Sequence, residues 1–393
     1  MSKPVRLAYL VSHPIQYQAP LLRRIALEPD IDLTVFFGSD FSLRAYTDRG
    51  FGVEVVWDTP LTEGYKHVFL KPLRDTGTVS PTSPVSRGIF KALRGFDALW
   101  VHGYASINSL QAILAANALG IPVLLRAESW LNDRDRSPLK LTLKRIALRA
   151  LRPAIAATLP IGSLNAQYWR HYFGDDVPQF PMPYAVDNDY FAERAAASHQ
   201  AELSDHLNLD PGLPVILFAS KLQPRKRCMD LLEAYRLLPQ GTAHLIIVGD
   251  GEERLRLETF CRDQALTGVR FAGFQNQSAL PGYFRLADVF VLPSRHEPWG
   301  LIVNEAMAAG CPCIVSDEVG CHADLITPGV EGYVFPAGNI PALFAALSGI
   351  FADPATAAAM GQAAAARIRS WSFDQDIAGL RAALAHTTRK LRA

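Results

Sequence analysis

Two glutamates, Glu297 and Glu305, stand eight positions apart on either side of a Pro-Trp-Gly turn. An apolar run over 289–292 predicts a strand before the turn, and the residues after it predict a helix. Glu305 would lie two turns into that helix, where its carboxylate can accept hydrogen bonds from a ribose diol. Free amides near Gly300 and Leu301, at the helix start, would stabilise a phosphate. The alternative is an ordinary strand-loop-helix unit whose acidic residues are solvated.

Two lysines form a second group that could do chemistry. Lys221 and Lys226 flank a loop between a predicted strand over 215–219 and a predicted helix over 229–237. The helix start presents free amides, so a diphosphate would be held there by charge and by the helix dipole together. The two arginines beside Lys226 are expected to be solvated.

The first half of the chain carries polar residues where predicted strands end. His13, Gln16 and Tyr17 follow the first strand, and His102 ends a later one. Strands alternate with helices at spacings that predict parallel strands joined by right-handed crossovers. Ligands of such sheets bind at the carboxyl ends of the strands, which makes these side chains candidates for substrate contacts. The alternative is that the histidines only cap strand ends.

The segment over 289–324 closely resembles the E-x7-E signature of the retaining glycosyltransferases of the GT-B fold, often called family 4. The resemblance covers the second half of the chain with specific motifs and the first half only by pattern. It implies an α/β protein with two Rossmann-like domains whose parallel sheets face each other across a cleft.

The resemblance also implies domain boundaries. Residues 1–195 would form an N-terminal Rossmann-like acceptor-binding domain, and 196–370 a C-terminal Rossmann-like domain that binds the nucleotide sugar. Residues 371–393 would form a helical segment that packs back on the N-terminal domain. The polar, alanine-rich stretch over 192–214 is expected to be the linker, and the irregular stretch over 38–86 is expected to fold over the acceptor side.

Single residues receive roles by the same resemblance. Glu297 would hold hydroxyls of the donor sugar, Glu305 would hold the ribose, and Lys221 and Lys226 would neutralise the leaving diphosphate. The family usually has arginine in place of Lys221, so the charge is kept but a bidentate fork is lost. Further donor-side residues are Trp299, Gly300, Leu301, Gly273 and Phe274.

Glu128 stands where many members of the family have a histidine that faces the donor sugar. If the correspondence holds, its carboxylate contacts a donor hydroxyl or orients the acceptor. The alternative is a structural pair between Glu128 and Arg126. The acceptor side would consist of His13, Gln16, Tyr17 and His102.

Composition narrows the function classes. Lys and Arg total 39 against 38 for Asp and Glu, so the net charge does not call for nucleic acid as a partner. No apolar run reaches the length of a membrane span. The five cysteines stand in apolar or helical surroundings, which is typical of a reducing compartment. We therefore expect a cytoplasmic protein.

Metal binding is not expected. Asp-x-Asp occurs at Asp133, Asp187 and Asp374, three unrelated places, which shows how unspecific that pattern is. Cys311, Cys313 and the nearby Cys321-His322 pair lack the spacing of a zinc knuckle. A Gly-x-Gly pair at Gly249 lacks the third glycine of a dinucleotide-binding motif. We expect no cofactor, with the lysines supplying the positive charge.

A basic helix is predicted over 134–152. Leu139, Leu143 and Ile146 fall on one side of it, and lysines and arginines cover the other. Such a helix can rest on anionic lipid at the inner face of a membrane, or it can be an ordinary solvated helix.

The function implied is the retaining, metal-independent transfer of a hexose from a nucleoside-diphosphate sugar to an acceptor hydroxyl. The resemblance to this family also implies a role in bacterial polysaccharide or glycoconjugate assembly, with a glycan or a lipid-linked acceptor. Two alternatives remain: a phosphorylase or epimerase with the same fold, and a non-catalytic sugar-nucleotide binder that acts in assembly.

Overall fold

The computed structural model describes residues 3–48, 50–73 and 79–389. The chain divides into two compact units. The first comprises Met1–Tyr46, Thr59–Tyr184 and Phe373–Ala393, and the second comprises Thr47–Asp58 and Ala185–Ser372. The main boundary therefore falls at 184/185, earlier in the chain than the expected 195/196. The sequence-based ranges 1–195 and 371–393 also include residues 1, 2, 49, 74–78 and 390–393, which lie outside the described part.

The first unit is built on a parallel sheet with strand order β5-β2-β1-β6-β7-β8. Alternate side chains of β1 enter two hydrophobic clusters, with Leu7, Tyr9 and Val11 in one and Ala8 and Leu10 in the other. Because successive side chains of a strand point to opposite faces, the sheet is covered by apolar packing on both sides. Its strands are β1 (Val5–Val11), β2 (Ile31–Phe37), β5 (Lys66–Phe69), β6 (Ala98–His102), β7 (Val123–Arg126) and β8 (Ala157–Thr158).

Helices of the first unit include the last helix of the chain, α15. Its Arg381 pairs with Asp30 at 2.8 Å and also with Glu28, and its Asp376 pairs with Arg126 at 2.9 Å. This helix is thereby part of the first unit. The helices are α1 (Ala19–Ala26), α2 (Ile89–Ala92), α3 (Ile107–Ala118), α4 (Pro138–Leu151), α5 (Ser163–Phe173) and α15 (Phe373–Arg389).

The second unit has a parallel sheet with order β11-β10-β9-β12-β13-β14. Its strands are β9 (Val215–Ala219), β10 (His244–Val248), β11 (Val269–Gly273), β12 (Val289–Leu292), β13 (Cys313–Ser316) and β14 (Gly332–Phe335). Its helices are α6 (Asn188–Ala196), α7 (Gln200–His206), α8 (Cys228–Arg236), α9 (Arg254–Asp263), α10 (Leu280–Leu286), α11 (Leu301–Ala308), α12 (His322–Leu325), α13 (Ile340–Phe351) and α14 (Pro354–Arg369).

Strand order reverses once in each sheet. The reversal lies between β1 and β6 in the first unit and between β9 and β12 in the second. At such a point the loops leave the strand ends in opposite directions and open a crevice at the carboxyl edge, where open α/β sheets bind their ligands. The polar loops singled out from the sequence follow these strands.

Two expectations about connecting segments are wrong. The stretch over 192–214 is not a plain linker, because it contains the end of α6 and all of α7, and Asp187 caps α6 by accepting from the amide of Tyr190 at 3.1 Å. Part of the irregular stretch, Thr47–Asp58, packs in the second unit and not on the acceptor side. Its first residue, Thr47, ends the short strand β3 (Tyr46–Thr47), which pairs with the short strand β4 (Glu54–Val55).

Among the described residues, no single helix is long and apolar enough to cross a membrane. Two consecutive segments, Ile340–Phe351 and Ala355–Thr388, are together long and apolar enough for a membrane span. The chain bends by 100° between them.

Candidate active site

Backbone contacts fix the loop after β12 in place. The amide of Glu297 donates to the carbonyl of Glu318 at 3.0 Å, and the amide of Gly320 donates to the carbonyl of Glu297 at 3.0 Å. A Cβ atom at Gly320 would lie 2.0 Å from the carbonyl oxygen of Pro298. Only glycine permits this approach, so the position of Glu297 depends on it.

Helix α11 starts directly after this loop. Gly300 is its N-cap and adopts φ 95°, a left-handed conformation that favours glycine. The first amides of a helix have no partner within it, so Leu301 and its neighbours present donors at the positive end of the helix dipole. The structure therefore places anion-stabilising groups beside Glu297.

Glu297 is the centre of a largely buried ion cluster. Its carboxylate pairs with the ammonium of Lys226, and Arg225 donates to it at 3.0 Å. The expectation that Arg225 is only solvated is therefore wrong, because it forms an ion pair with Glu297. Burial raises the pKa of Glu297, but the attraction of Lys226 and Arg225 outweighs this and holds it below its ordinary value. Burial lowers the pKa of Lys226 by more than its pairing with Glu297 raises it.

Glu305 lies on α11 and is only 7% exposed. Among the described residues its carboxylate has one hydrogen bond, a long one of 3.4 Å from the side-chain amide of Gln277. Burial raises the pKa of Glu305 to about 8, although Gln277 works against this. A buried carboxyl group with so little hydrogen bonding has acceptor capacity left for a ligand hydroxyl.

Lys221 follows β9 and pairs with a residue from the first half of the chain. Its ammonium donates to the two carboxylate oxygens of Asp48 at 2.7 Å and 2.9 Å. It also lies 4.8 Å from the centre of the Phe51 ring. The positive charge of Lys221, which was predicted to bind a diphosphate, is therefore neutralised by a carboxylate of the second unit.

Two glycines hold the neighbouring loop close to Lys221. A Cβ at Gly249 would lie 1.9 Å from the carbonyl oxygen of Ser220, and one at Gly251 would lie 2.5 Å from that of Leu222. This Gly-x-Gly pair thus serves close backbone packing between two loops of the sheet edge.

Gly273 and Phe274 stand at the end of β11. Gly273 has φ 68° and its carbonyl accepts from the amide of Gly249 at 2.8 Å. The half-buried ring of Phe274 contacts the ring of Phe51, with centroids 4.8 Å apart, and lies 6.5 Å from that of Trp57.

Trp299 is buried beneath the turn. Its side chain is 4% exposed, its indole N–H donates to Asn304 at 2.9 Å, and its ring stacks on Trp371 with centroids 5.7 Å apart. The indole therefore packs against the turn, and its contact with a donor stays a prediction.

The first unit gathers a second polar cluster around Glu128, which follows β7. Tyr17 donates to its carboxylate at 3.3 Å, Tyr184 donates to it as well, and His102 Nε2 lies 3.5 Å away. Burial raises the pKa of Glu128, but His102 and the two tyrosines outweigh it and leave the pKa below its ordinary value. The side chain is 36% exposed, so a ligand can reach it.

The other residues of the first loop are also placed at this edge. The ring of His13 lies 4.6 Å from that of Phe41, and its Nδ1 is hydrogen-bonded to the hydroxyl of Ser12 at 2.8 Å. Burial, with a smaller contribution from His102, lowers the pKa of His13 to about 4, so it is neutral at pH 7. Gln16 is half-buried.

Arg126 is not the partner of Glu128. It donates to Asp376 at 2.9 Å and to the carbonyls of Met182 and Pro183 at 2.9 Å and 3.1 Å. The alternative of a Glu128–Arg126 pair is therefore wrong. Sequence reasoning missed Tyr184, Asp48 and the role of Arg225, because none of them stands in a recognisable local pattern.

The Asp-x-Asp pairs contain residues with structural contacts. Asp133 pairs with Arg136 at 2.5 Å, Asp187 caps α6, and Asp376 pairs with Arg126. Within the described ranges, no group of three or more His, Cys, Asp or Glu side chains is arranged to hold a metal ion. The expectation of a metal-free reaction stays a prediction.

Residues 199–367 match the family described as glycosyl transferases group 1. The GDP-mannose-dependent alpha-mannosyltransferase of Mycobacterium tuberculosis is 29% identical over 282 residues, which are 67% of this chain and 66% of that protein. The structure of sucrose-phosphate synthase from Thermosynechococcus elongatus is 19% identical, with a TM-score of 0.69 over 99% of this chain and 98% of that one. Anabaena HepE in complex with UDP and glucose is 16% identical, with a TM-score of 0.69 over 96% and 99%.

Proposed function

We propose that this chain, which has the GT-B glycosyltransferase fold, is a retaining glycosyltransferase that moves a hexose from a nucleoside-diphosphate sugar to an acceptor hydroxyl. The observation that carries the proposal is the ion cluster of Glu297, Lys226 and Arg225 at the point where strand order reverses in the second unit. A carboxylate and cations held together there can bind both parts of a sugar nucleotide.

The cations would bind the leaving diphosphate. When the bond between sugar and phosphate breaks, negative charge grows on the phosphate oxygens. Lys226, Lys221 and the amides near Gly300 and Leu301 would stabilise it, each loss costing roughly 10²–10³ in rate by analogy with oxyanion donors. We propose that these groups make a metal ion unnecessary.

Glu297 would exchange its partners when the donor binds. Lys226 would turn to the diphosphate, and the freed carboxylate would accept hydrogen bonds from the sugar hydroxyls and stabilise the positive ring carbon. Bond breaking then passes through an oxocarbenium-like state, and the departing phosphate, on the same face of the sugar, takes the acceptor proton. The new bond forms on the face that the phosphate leaves, which gives retention.

The Glu128 cluster would bind the acceptor. Its carboxylate is ionised at neutral pH and partly exposed, and His102, Tyr17 and Tyr184 hold it in one orientation. Such a group can accept a hydrogen bond from an acceptor hydroxyl and orient it. The first-loop side chains of His13 and Gln16 would complete this site.

The donor class is proposed from the relatives. One is named for GDP-mannose, and HepE was solved with UDP and glucose. Together with the buried carboxyl group of Glu305, which suits a ribose diol, they support a nucleoside diphosphate as the leaving group.

We further propose that the protein is cytoplasmic and that α4 rests on the anionic inner face of a membrane, close to a lipid-linked or growing glycan acceptor. Leu139, Leu143 and Ile146 of this helix are 69%, 57% and 60% exposed, although they are large and apolar. Lys140, Arg145 and Arg149 are exposed on the same helix. Exposed apolar residues interleaved with cations are typical of helices that lie on anionic lipid.

The membrane proposal is tested by flotation with vesicles of phosphatidylcholine alone and with phosphatidylglycerol added. We expect binding only to the anionic vesicles and its loss in Leu143→Asp. A matched control is Leu255→Asp, which changes an exposed leucine of the second unit. Equal flotation of Leu143→Asp and the unchanged protein would rule the proposal out.

The catalytic proposal is tested in two steps. Thermal shifts with UDP, GDP, ADP and TDP identify the base, and turnover is then followed as release of that diphosphate with and without an acceptor. We expect multiple turnovers only with acceptor, and large losses in Glu297→Ala and Lys226→Ala. Asp263→Asn and Arg236→Ala, at exposed positions of the same unit, are the matched controls. Folded Glu297→Ala and Lys226→Ala variants that turn over at the normal rate would contradict the proposal.

The same assay separates the alternatives. A phosphorylase would need inorganic phosphate, an epimerase would act on the sugar nucleotide without an acceptor, and a binder would show the thermal shift without turnover. Nuclear magnetic resonance of the product reports whether the anomeric configuration is retained.

A further inference from the structure

The segment Thr47–Asp58, called the flap below, occupies the donor side of the second unit at two points. Asp48 pairs with Lys221 through both carboxylate oxygens, and Phe51 packs on Phe274. The first contact uses the cation assigned to the diphosphate. The second covers Phe274, which directly follows Gly273, and the resemblance to the GT-B family implies that the backbone after Gly273 borders the nucleotide base.

The flap is held there by a small number of polar contacts. Asn276 donates to the carbonyl of Val56 at 2.6 Å, and the amide of Ser278 donates to Asp58 at 3.2 Å. Among the flap residues that the structure describes, Val55 in β4 is buried and the others are half-buried or exposed. Segments with few buried apolar contacts open at low free-energy cost.

The turn of the flap presents the Asp48 carboxylate to Lys221. The amides of Gly50 and Phe51 donate to Asp48 Oδ1 at 2.8 Å and 3.1 Å, which orients it. A Cβ atom at Gly50 would lie 2.5 Å from Lys221 Cδ, so the lysine lies directly against the turn. Burial raises the pKa of Asp48, but Lys221 and these amides hold it below its ordinary value, so the carboxylate is an anion at neutral pH.

We propose that the flap is a self-occluding lid, in which Asp48 and Phe51 take the places of the donor's diphosphate and base until a nucleotide displaces them. This proposal rests on the proposed function, because it assumes that Lys221 binds a diphosphate. The flap lowers the affinity for free nucleotide, since part of the binding energy is used to open it. A donor that supplies both the diphosphate and the base replaces both contacts at once.

The test compares Asp48→Asn with the unchanged protein in titrations with UDP and with inorganic pyrophosphate. Glu54→Gln, which removes an exposed carboxylate from the same flap, is the matched control. We expect Asp48→Asn to bind both ligands about two- to fivefold more tightly, the range that one partly exposed ion pair supports. The control should bind them as the unchanged protein does.

A second measurement follows the flap itself. Trp57 is one of six tryptophans, and its ring lies near Phe274 in the closed flap. UDP should change the fluorescence of the unchanged protein, and Trp57→Phe should remove that part of the change. If the whole fluorescence change persists in Trp57→Phe, UDP does not alter the surroundings of Trp57, and the flap stays closed.

The outcomes separate this proposal from the proposed function. If the unchanged protein binds a nucleotide and Asp48→Asn binds it equally or more weakly, the lid is wrong and the donor site stands. A lower melting temperature of Asp48→Asn with unchanged affinity would make Asp48 a purely structural residue. If neither protein binds pyrophosphate or any of UDP, GDP, ADP and TDP, the donor site fails and the lid fails with it.

Discussion

Nucleotide affinity should rise with pH, and Glu305 should set the size of the rise. Its carboxyl group is buried, and the 3.4 Å contact from Gln277 is its one hydrogen bond within the described residues. Burial raises its pKa to about 8, so the free protein holds it mostly protonated at pH 7. Two ribose hydroxyls donating to it would favour the ionised form, because only the carboxylate accepts both bonds without a proton of its own.

The magnitude follows from the ionised fraction. With a pKa of about 8, roughly one Glu305 in eleven is ionised at pH 7 and about ten in eleven at pH 9. A ligand that binds only the ionised form should therefore bind about tenfold more tightly at pH 9, and at pH 7 its binding should release about 0.9 protons. The diphosphate itself does not confuse the result, because phosphate groups with a second pKa of about 6 are already ionised in this range.

Isothermal titration calorimetry measures both quantities. Titrations at several pH values give the affinity, and titrations at one pH in buffers of different ionisation enthalpy give the number of protons released. Glu305→Gln should bind more weakly, and its affinity should not rise with pH. A 2′-deoxy nucleotide should also bind more weakly to the unchanged protein, because it lacks one of the two hydroxyls.

The sign of the effect tests the reasoning. Lys226, whose pKa burial lowers, would lose charge at high pH and weaken the binding of a diphosphate. A fall in affinity between pH 7 and pH 9 would therefore contradict the expected role of Glu305. A flat profile, or a rise that persists in Glu305→Gln, would refute the assignment of Glu305 to the ribose.

Two further predictions concern stability, and a third concerns turnover. Because the native pKa of Glu305 lies above its ordinary value of 4.5, its stabilising proton is lost as the pH rises through about 8, and Glu305→Gln should raise the melting temperature more at pH 9 than at pH 6; an equal change at both pH values would contradict this. Asp376→Ala should lower the free energy of unfolding by about 3–5 kcal/mol in denaturant titrations, because it leaves Arg126 buried without its carboxylate partner. The double variant Arg126→Met/Asp376→Leu should recover much of that loss. A cost below about 1 kcal/mol would show that the pair is not needed for stability. Gly320→Ala should abolish turnover by pushing the Glu297 loop away, whereas Gly282→Ala, whose Cβ would meet nothing closer than 3.7 Å, should keep it; normal turnover of Gly320→Ala would mean that the loop position is unimportant.

Local sequence patterns predicted most of the fold. Alternating strands and helices predicted parallel α/β units, and the GT-B fold implied by the E-x7-E segment is confirmed by the solved structures that share it. Helix ends were predictable for the same reason, since Ser106 and Gly300 act within a few residues of their own position. The helices within 192–214 were not predicted. This segment has few apolar residues, and its helices pack on parts of the fold that are distant in sequence.

The sequence by itself determined which residues we propose as the donor site. Glu297, Glu305, Lys221 and Lys226 follow strands that flank a reversal of strand order, and chain order with the crossover rule is enough to bring them to one sheet edge. What each of them contacts is set by residues far away in the chain. Asp48 reaches Lys221 across 173 positions, Tyr184 reaches Glu128 across 56, and Asp376 reaches Arg126 across 250.

Only the tertiary structure decided these pairings, and the reason is physical. A carboxylate such as Asp48 has no local signature, since its energy depends on the burial and charge of groups that folding brings to it. The same holds for Glu305, whose raised pKa comes from burial and not from its neighbours in sequence. The sequence therefore identified the chemical groups of the proposed site, and the fold decided which of them are neutralised and which are buried.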